Sequence, residues 1–185
     1  MKNILFSVGL IAAILVIFPQ NIYSQEKASM SSASIQIPEA VQKGSDYRVK
    51  VLKKYLEAKN SPLADNAGDF VSYADKYNLD WKFVAAISGL ESTFGQQIPN
   101  NSYNAWGWGI YGDNMIRFNS WDEGIKTISQ GLRDRYMNQW GATDVYTIGS
   151  MYASSPTWAV RVDGFMNDIQ KFALNNPSDT LSLSL

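Results

Sequence analysis

Residues 80–95 read DWKFVAAISGLESTFG, and their spacing predicts a helix that carries one acid on its apolar face. Asp80 is placed to cap the free amides of the first turn. Val84, Ile87 and Glu91 follow at intervals of three and four positions, so they share one side of the helix, which should face the core. Glu91 is therefore expected to interrupt a buried stripe.

An acid in that position has a specific chemical use. A carboxylate buried without a partner is costly, and the usual response is a raised pKa. Glu91 would then stay protonated near neutral pH and could give its proton to a leaving oxygen, as a general acid does. The alternative is a glutamate at a helix end that reaches out to water. Ser92 could orient Glu91 or contact a substrate, although it could equally satisfy free carbonyls at the helix end.

The segment after this helix combines aromatic rings with glycines and amides. Residues 95–118 read GQQIPNNSYNAWGWGIYGDNMIRF and have no helical period. Such rings stack on sugars and amide side chains meet hydroxyls, so the loop predicts a glycan-binding surface. A small satellite core of buried aromatics is the other interpretation. The candidate residues are Asn101, Tyr103, Asn104, Trp106, Trp108 and Tyr111.

A family resemblance is carried by the same helix. Residues 80–95 resemble the segment of lysozyme-like lytic transglycosylases in which an A-I-x-x-x-E-S-x-F pattern holds the catalytic acid. The resemblance implies that Glu91 is this acid, with its neighbours in the pattern close to the substrate. The matching residues are Ala86, Ile87, Glu91, Ser92 and Phe94.

Two later segments resemble bacterial endo-β-N-acetylglucosaminidases. Residues 109–112, GIYG, are similar to their G-I-x-G turn, and residues 152–159, YASSPTWA, are similar to their Y-A-T-D-P-x-Y-A segment. Ser155 stands where that segment has an aspartate, and Trp106 and Trp108 enlarge the turn. Both families share the lysozyme-like fold, so the resemblance implies that fold for this chain.

Tyr152 becomes the second catalytic candidate through this resemblance, because its phenol could donate a hydrogen bond in the cleft and order the reacting sugar. A core tyrosine packed near Ile148 would explain the same position. Trp158 and Arg161 on the following helix are candidates to border the groove, against ordinary roles in packing and surface charge.

A second catalytic carboxylate is harder to assign. Glycoside hydrolysis normally employs two acids. Asp122, Glu123 and Asp144 are explained by their places at helix starts, which leaves Asp113 in the loop. A single acid would suffice if the substrate supplied its own nucleophile, as it does in lytic transglycosylases, so both routes stay open.

Composition excludes several other chemistries. The chain has 185 residues, a net charge of −1, no cysteine and no histidine. Disulfides, thiol nucleophiles, zinc sites and histidine-based triads are therefore not expected. The balance of charges does not indicate a positively charged surface of the kind that binds nucleic acid. No glycine loop of the phosphate-binding kind is present, and no cofactor is expected.

The N-terminus predicts export to the cell envelope or beyond. Residues 4–18 are almost continuously apolar, which suits a signal-peptide core and falls short of the ~20 residues that span a bilayer. We expect residues 1–24 to be a signal peptide or an uncleaved membrane anchor, followed by a flexible linker at 25–45. One domain should occupy residues 46–174, and residues 175–185 should form a loose tail.

This domain is expected to be mainly α, a lysozyme-like helical bundle in which a short β-hairpin at residues 108–118 lines the substrate groove. Tyr47, Val51, Leu52 and Tyr55 should form the apolar face of the first helix. Later helix starts are predicted at Ser61 with Pro62, at Ser120 with Glu123, at Asp144 or Thr143, and at Ser155 with Pro156.

Together these features predict an exported glycosidase that cleaves β-1,4 bonds between the N-acetylated sugars of peptidoglycan, most similar to an endo-β-N-acetylglucosaminidase. Glu91 and Tyr152 are the expected catalytic residues. Two alternatives stay open: a lytic transglycosylase or muramidase of the same fold, and a glycan-binding envelope protein without turnover. The expected substrate-binding residues are Ser92, Phe94, Asn104, Trp106, Trp108, Tyr111 and Trp158.

Overall fold

The computed structural model describes residues 46–109 and 115–176, and this part of the chain is mostly helical, as expected. A 3-10 turn at Ala64–Asn66 precedes the second helix, and a π-helical segment at Leu132–Gln139 continues the fourth. The described residues contain no strand, and the turn of the expected hairpin, residues 110–114, lies outside them. The helices are α1 (Tyr47–Ala58), α2 (Ala67–Lys76), α3 (Phe83–Ser92), α4 (Trp121–Gly131), α5 (Val145–Tyr152) and α6 (Trp158–Asn175).

Helix α3 is the centre of the described fold. All of its residues from Phe83 to Gly89 are buried, and it packs along α6 while also contacting α2 and α4. A helix with a single apolar stripe would leave its opposite side in water, so the amphipathic interpretation of this stretch is wrong. Small residues permit the close approach, since a Cβ on Gly89 would lie 2.6 Å from the ring of Phe94.

Two of the predicted helix caps are confirmed. Ser120 Oγ accepts a hydrogen bond of 3.1 Å from the backbone N–H of Glu123 at the start of α4. Asp144 caps α5 and forms a complete capping box with Thr147. The box at α4 is only half formed, because Glu123 Oε2 accepts from the backbone N–H of Asn119, at 2.7 Å, instead of from that of Ser120.

Helices α2 and α3 begin later than predicted. Ser61 caps the turn that precedes α2, because its hydroxyl accepts from the backbone N–H of Leu63 at 3.1 Å while donating to the carbonyl of Phe94 at 2.8 Å. The helix itself begins at Ala67. Asp80 caps a turn instead of the helix itself. It accepts a hydrogen bond of 2.9 Å from the backbone N–H of Lys82, one residue before α3 begins.

The π-helical segment after α4 was not predicted. The backbone N–H of Trp140 reaches back to the carbonyl of Arg135 at 2.9 Å, which is the wider hydrogen-bond spacing of a π-helix. Segments of this kind are frequent at functional sites. Here it places the ring of Tyr136 against Trp108 from the glycine-rich loop and against Tyr152 from α5.

None of the helices in the described residues is both long enough and apolar enough to cross a bilayer. The predicted signal segment at 1–24, the linker at 25–45 and most of the tail at 175–185 lie outside those residues. Their assignments stay predictions.

Candidate active site

Glu91 lies in the last turn of α3, where the central helix reaches the surface. The residue is exposed, so the expectation of an acid on the inward face is wrong. One neighbour nevertheless holds its carboxyl and a second lies close to it. Oε1 accepts a hydrogen bond of 2.6 Å from Trp158 Nε1, and a Cβ on Gly107 would lie 3.4 Å from Oε2. The acid therefore sits at a rim between α6 and the glycine-rich loop.

These surroundings raise the pKa of Glu91 above its ordinary value. Loss of water around the carboxyl is the largest cause, while the hydrogen bond from Trp158 and the positive charge of Arg161 oppose it. Exposure of the residue and desolvation of its carboxyl are compatible, because the carboxyl is the part turned towards Trp158 and Gly107. A larger protonated fraction at neutral pH suits a general acid.

The chain reverses sharply just after Glu91. Thr93 and Gly95 have φ values of 53° and 83°, a left-handed conformation that strains a β-branched residue such as threonine. Ser92 holds the turn, since its hydroxyl donates to the carbonyl of Ala105 at 2.8 Å and accepts from the backbone N–H of Gly95 at 2.9 Å. The same contacts tie the end of α3 to the loop that follows.

Ser92 and Phe94 support this turn from the core. Each is only 3% exposed, and the serine hydroxyl is already engaged by backbone groups. The ring of Phe94 meets Tyr55 and Phe165 edge-on, with centroid distances of 5.6 and 5.3 Å. The structure therefore corrects the expectation that these two residues contact substrate directly.

Asn104 and Trp106 fasten the loop over α3 instead of presenting themselves to a ligand. Trp106 is fully buried, and its indole N–H donates to the carbonyl of Val84 at 2.9 Å. Asn104 Nδ2 donates to the carbonyls of Trp108 and Ile116 at 2.8 and 2.9 Å. Its Oδ1 accepts from the backbone N–H of Trp108 at 3.0 Å. With these groups occupied, the expected sugar contacts of both residues are corrected to structural ones.

Tyr152 links α5 to the same loop. Its hydroxyl donates to the carbonyl of Trp106 at 2.7 Å. Its ring stacks on Trp158, with centroids 4.7 Å apart and planes 27° apart. Burial raises the pKa of Tyr152 well above its ordinary value, and the charge of Glu91 adds to this. The phenol is thus a neutral donor whose proton is already held by the backbone.

An aromatic pocket of about 220 Å³ opens beside Gly107. Trp108, Tyr136 and Tyr152 contribute to its wall, with ring centroids 6.0, 5.9 and 5.8 Å apart. Arg135 also lines it and adds a positive charge. Aromatic faces beside a few polar groups are suited to binding a sugar ring.

The described acids do not supply an evident catalytic partner for Glu91. Asp122 lies in the first turn of α4, as predicted, and also accepts a hydrogen bond of 3.1 Å from Tyr73 Oη, while Asp144 caps α5 as predicted. Asp113 lies outside the described residues. Of the described groups, no carboxylate contributes to the shifted pKa of Glu91. In residues 46–109 and 115–176, no group of three or more acidic side chains could hold a metal ion.

The described structure gathers Glu91, Tyr152, Trp108 and Trp158 at one place. Trp158 was expected to bind sugar, but it is 3% exposed and its indole contacts the acid, so it serves the carboxyl. Tyr111 lies outside the described residues, and its predicted role stays a prediction. Sequence reasoning missed two neighbours of this site, Gly107 and Tyr136. The glycines that alternate with tryptophan in residues 105–109, AWGWG, were the available signal for the first.

The described residues thus place the acid at the end of a buried central helix, beside a pocket whose aromatic wall is shared by the glycine-rich loop. No protein-family model matches the chain. No curated protein matches it either.

One solved structure has a similar fold. The chain is similar to a crystal structure of a catalytic mutant of S. aureus autolysin E in complex with the disaccharide NAG-NAM, with a TM-score of 0.55 and 17% sequence identity. The match covers 66% of this chain and 66% of the autolysin chain, so it spans just under two thirds of that protein. This likeness shows a shared fold.

Proposed function

We propose that the chain is an exported glycosidase that cleaves β-1,4 bonds between the N-acetylated sugars of peptidoglycan, in the manner of an endo-β-N-acetylglucosaminidase. Its partner is the glycan strand of the cell wall, and Glu91 is its general acid. Export is inferred from the apolar residues 4–18. The disaccharide bound to autolysin E supports this class of substrate for a chain of the same fold.

One observation carries the proposal, namely that two segments resembling glycan-cleaving enzymes meet at one point. Glu91 belongs to the E-S-x-F segment and Trp158 to the YASSPTWA segment. They are 67 positions apart in the chain, yet carboxyl and indole are 2.6 Å apart. Core packing alone does not require an acid at this contact, whereas an active site does.

The chemistry follows from the position of the carboxyl. Gly107 both lines the aromatic pocket and lies next to Glu91 Oε2. A sugar stacked against Trp108 in that pocket would bring a glycosidic oxygen towards the acid. Proton transfer from Glu91 to this oxygen would turn it into a good leaving group, and the raised pKa increases the fraction of Glu91 that carries this proton.

A lytic transglycosylase is the second candidate, and a specific observation favours it. The described candidates Asp122, Glu123 and Asp144 are all engaged at helix starts, whereas hydrolysis through a protein base or nucleophile normally needs a second acid. A muramic sugar whose own 6-hydroxyl attacks the anomeric carbon would need Glu91 alone. Both routes begin with protonation of the same oxygen.

Incubation of the purified chain with peptidoglycan, followed by mass spectrometry of the soluble products, tests the proposal. Reducing N-acetylglucosamine ends would support it. Reducing muramic acid would indicate a muramidase, and anhydro-muramic ends would indicate transglycosylation. A folded chain that pellets with the wall but releases no products would refute the enzyme and leave a glycan-binding protein.

A further inference from the structure

We propose that Trp158 is a positioning residue that decides which oxygen of Glu91 carries the catalytic proton. The indole N–H donates to Oε1, which favours the proton on Oε2, the oxygen beside Gly107 and the aromatic pocket. The catalytic meaning of this inference rests on the proposed function. The contact and its effect on the carboxyl can be measured without substrate.

The argument begins with the chemistry of indole. Its N–H is a hydrogen-bond donor and has no capacity to accept. At 2.6 Å from Trp158 Nε1, Glu91 Oε1 must be the acceptor whether the carboxyl is charged or neutral. A protonated Oε1 would be a poorer acceptor for this N–H, and its own hydrogen would have to turn away from the indole. The contact therefore favours the neutral acid with its proton on Oε2.

The indole is held so firmly that it can impose this choice. One face of Trp158 stacks on Tyr152 at a centroid distance of 4.7 Å. A Cβ on Gly149 would lie 2.9 Å from Cε3 of the ring, so the helix backbone packs against the indole there. The side chain is 3% exposed. Its rotamer is set by packing, as a positioning residue requires.

The residues packed around Trp158 also connect to the surroundings of the second carboxyl oxygen, Glu91 Oε2. Tyr152, which stacks on Trp158, donates its hydroxyl to the carbonyl of Trp106. The next residue, Gly107, has φ of +63° and presents backbone without a side chain to Glu91 Oε2. Indole, phenol and loop thus form one connected set that holds Oε1 on one side and leaves space for a substrate oxygen on the other.

Few described charged or titratable groups act on this carboxyl. Arg161, one turn beyond Trp158 on α6, acts through its charge. Tyr152 from α5 is coupled to Glu91 but stays neutral, because burial raises its pKa well above the ordinary value. Removal of the indole N–H therefore changes the described hydrogen bond to the Glu91 carboxyl and leaves both of these groups in place.

The contact is tested by the indole N–H signals of the full-length chain labelled with 15N at tryptophan. The Trp158 signal, assigned by its loss in Trp158→Phe, is expected to follow the titration of Glu91. In Glu91→Gln the amide carbonyl can replace Oε1, so the signal should stay near its acidic position, and in Glu91→Ala it should move towards that of a free indole. A signal indifferent to pH and to both substitutions would overturn the proposal.

Kinetics test the consequence for catalysis. Trp158→Phe is expected to lower kcat roughly 10- to 100-fold, the cost of a misplaced catalytic group. The alkaline limb of its kcat/KM profile should move to higher pH, because the ionised carboxylate loses a hydrogen bond that stabilised it. The matched control is Trp81→Phe, because Trp81 is a partly buried tryptophan packed against the core elsewhere. This substitution should leave kcat and the position of the alkaline limb unchanged.

A purely structural role for Trp158 gives a different result. Slower turnover with an unmoved alkaline limb would overturn the positioning role. If Trp158→Phe does not fold, 3-benzothienylalanine at position 158 removes the N–H while keeping the ring size, and the same two outcomes apply. A wild-type chain that releases no products refutes the proposed function, while the indole spectrum still decides the contact.

Discussion

The replacement of Tyr152 by phenylalanine removes one hydroxyl and should destabilise the fold by about 1–3 kcal/mol. That hydroxyl donates to the carbonyl of Trp106 at 2.7 Å, in a fully buried part of the loop. A buried carbonyl left without its donor bears the desolvation penalty. Urea unfolding followed by tryptophan fluorescence should show a lower midpoint with an unchanged slope.

The matched control is Tyr146→Phe. Tyr146 lies on the same helix but is 54% exposed, so its hydroxyl should matter by less than about 0.5 kcal/mol. Glycan cleavage by Tyr152→Phe is expected to fall roughly 10- to 100-fold, because the loop beside Glu91 loses a tether. An unchanged unfolding midpoint would refute the hydrogen bond. Complete loss of activity in an equally stable variant would refute the tethering role and favour a phenol that touches the sugar.

Three further predictions concern the rim of the site. The folded state raises the pKa of Glu91, so the stability that this group contributes is present below the ordinary glutamate value and is lost as pH rises through the raised one. Glu91→Gln should therefore melt higher than the wild type at neutral pH and equally in acid, and the opposite order would contradict the desolvated carboxyl. Gly107→Ala should slow cleavage, since φ is +63° at this residue and the added Cβ would lie 3.4 Å from Glu91 Oε2. The control Gly164→Ala should not slow cleavage, because open space surrounds Gly164. Equal rates for the two variants would contradict the site geometry. Thr93→Gly should raise the free energy of unfolding by about 1 kcal/mol by relieving a left-handed threonine, measured by urea unfolding, and no gain would argue against that turn.

Hydrophobic spacing and capping preferences predicted features that depend on residues close together in the sequence. Val51, Leu52 and Tyr55 are buried on α1, as their spacing predicts, whereas Tyr47 in its first turn is 46% exposed. Asp144 caps α5 through hydrogen bonds within a single turn. Such contacts depend on neighbours in sequence, so periodicity and capping preferences find them.

Helix α3 shows where the pattern misleads. A stripe of apolar residues was expected, but the helix is buried almost all round and Glu91 is exposed at its end. The residues between the large apolar ones, Ala85, Ala86, Ser88 and Gly89, are small and uncharged, which is the feature that permits burial on every side. The hydrophobic period of the sequence does not take the small size of these residues into account.

The sequence predicted only part of the site, because some of its contacts are not determined by local sequence patterns. Glu91 and Tyr152 were identified by motif, and the structure places them in one neighbourhood. Whether Trp106 or Trp108 would face the pocket was beyond the sequence, because an aromatic loop can equally pack inwards. The contact from Trp158 to Glu91 depends on how α6 crosses α3, which no local spacing encodes.

The most direct test of the central claim compares wild type with Glu91→Gln on purified peptidoglycan. The glutamine can still accept from Trp158, so the fold and the groove should persist, as thermal unfolding and cosedimentation with the wall would confirm. We expect soluble muropeptides from the wild type and none above background from the variant. Equal release by both proteins would contradict general acid catalysis by Glu91.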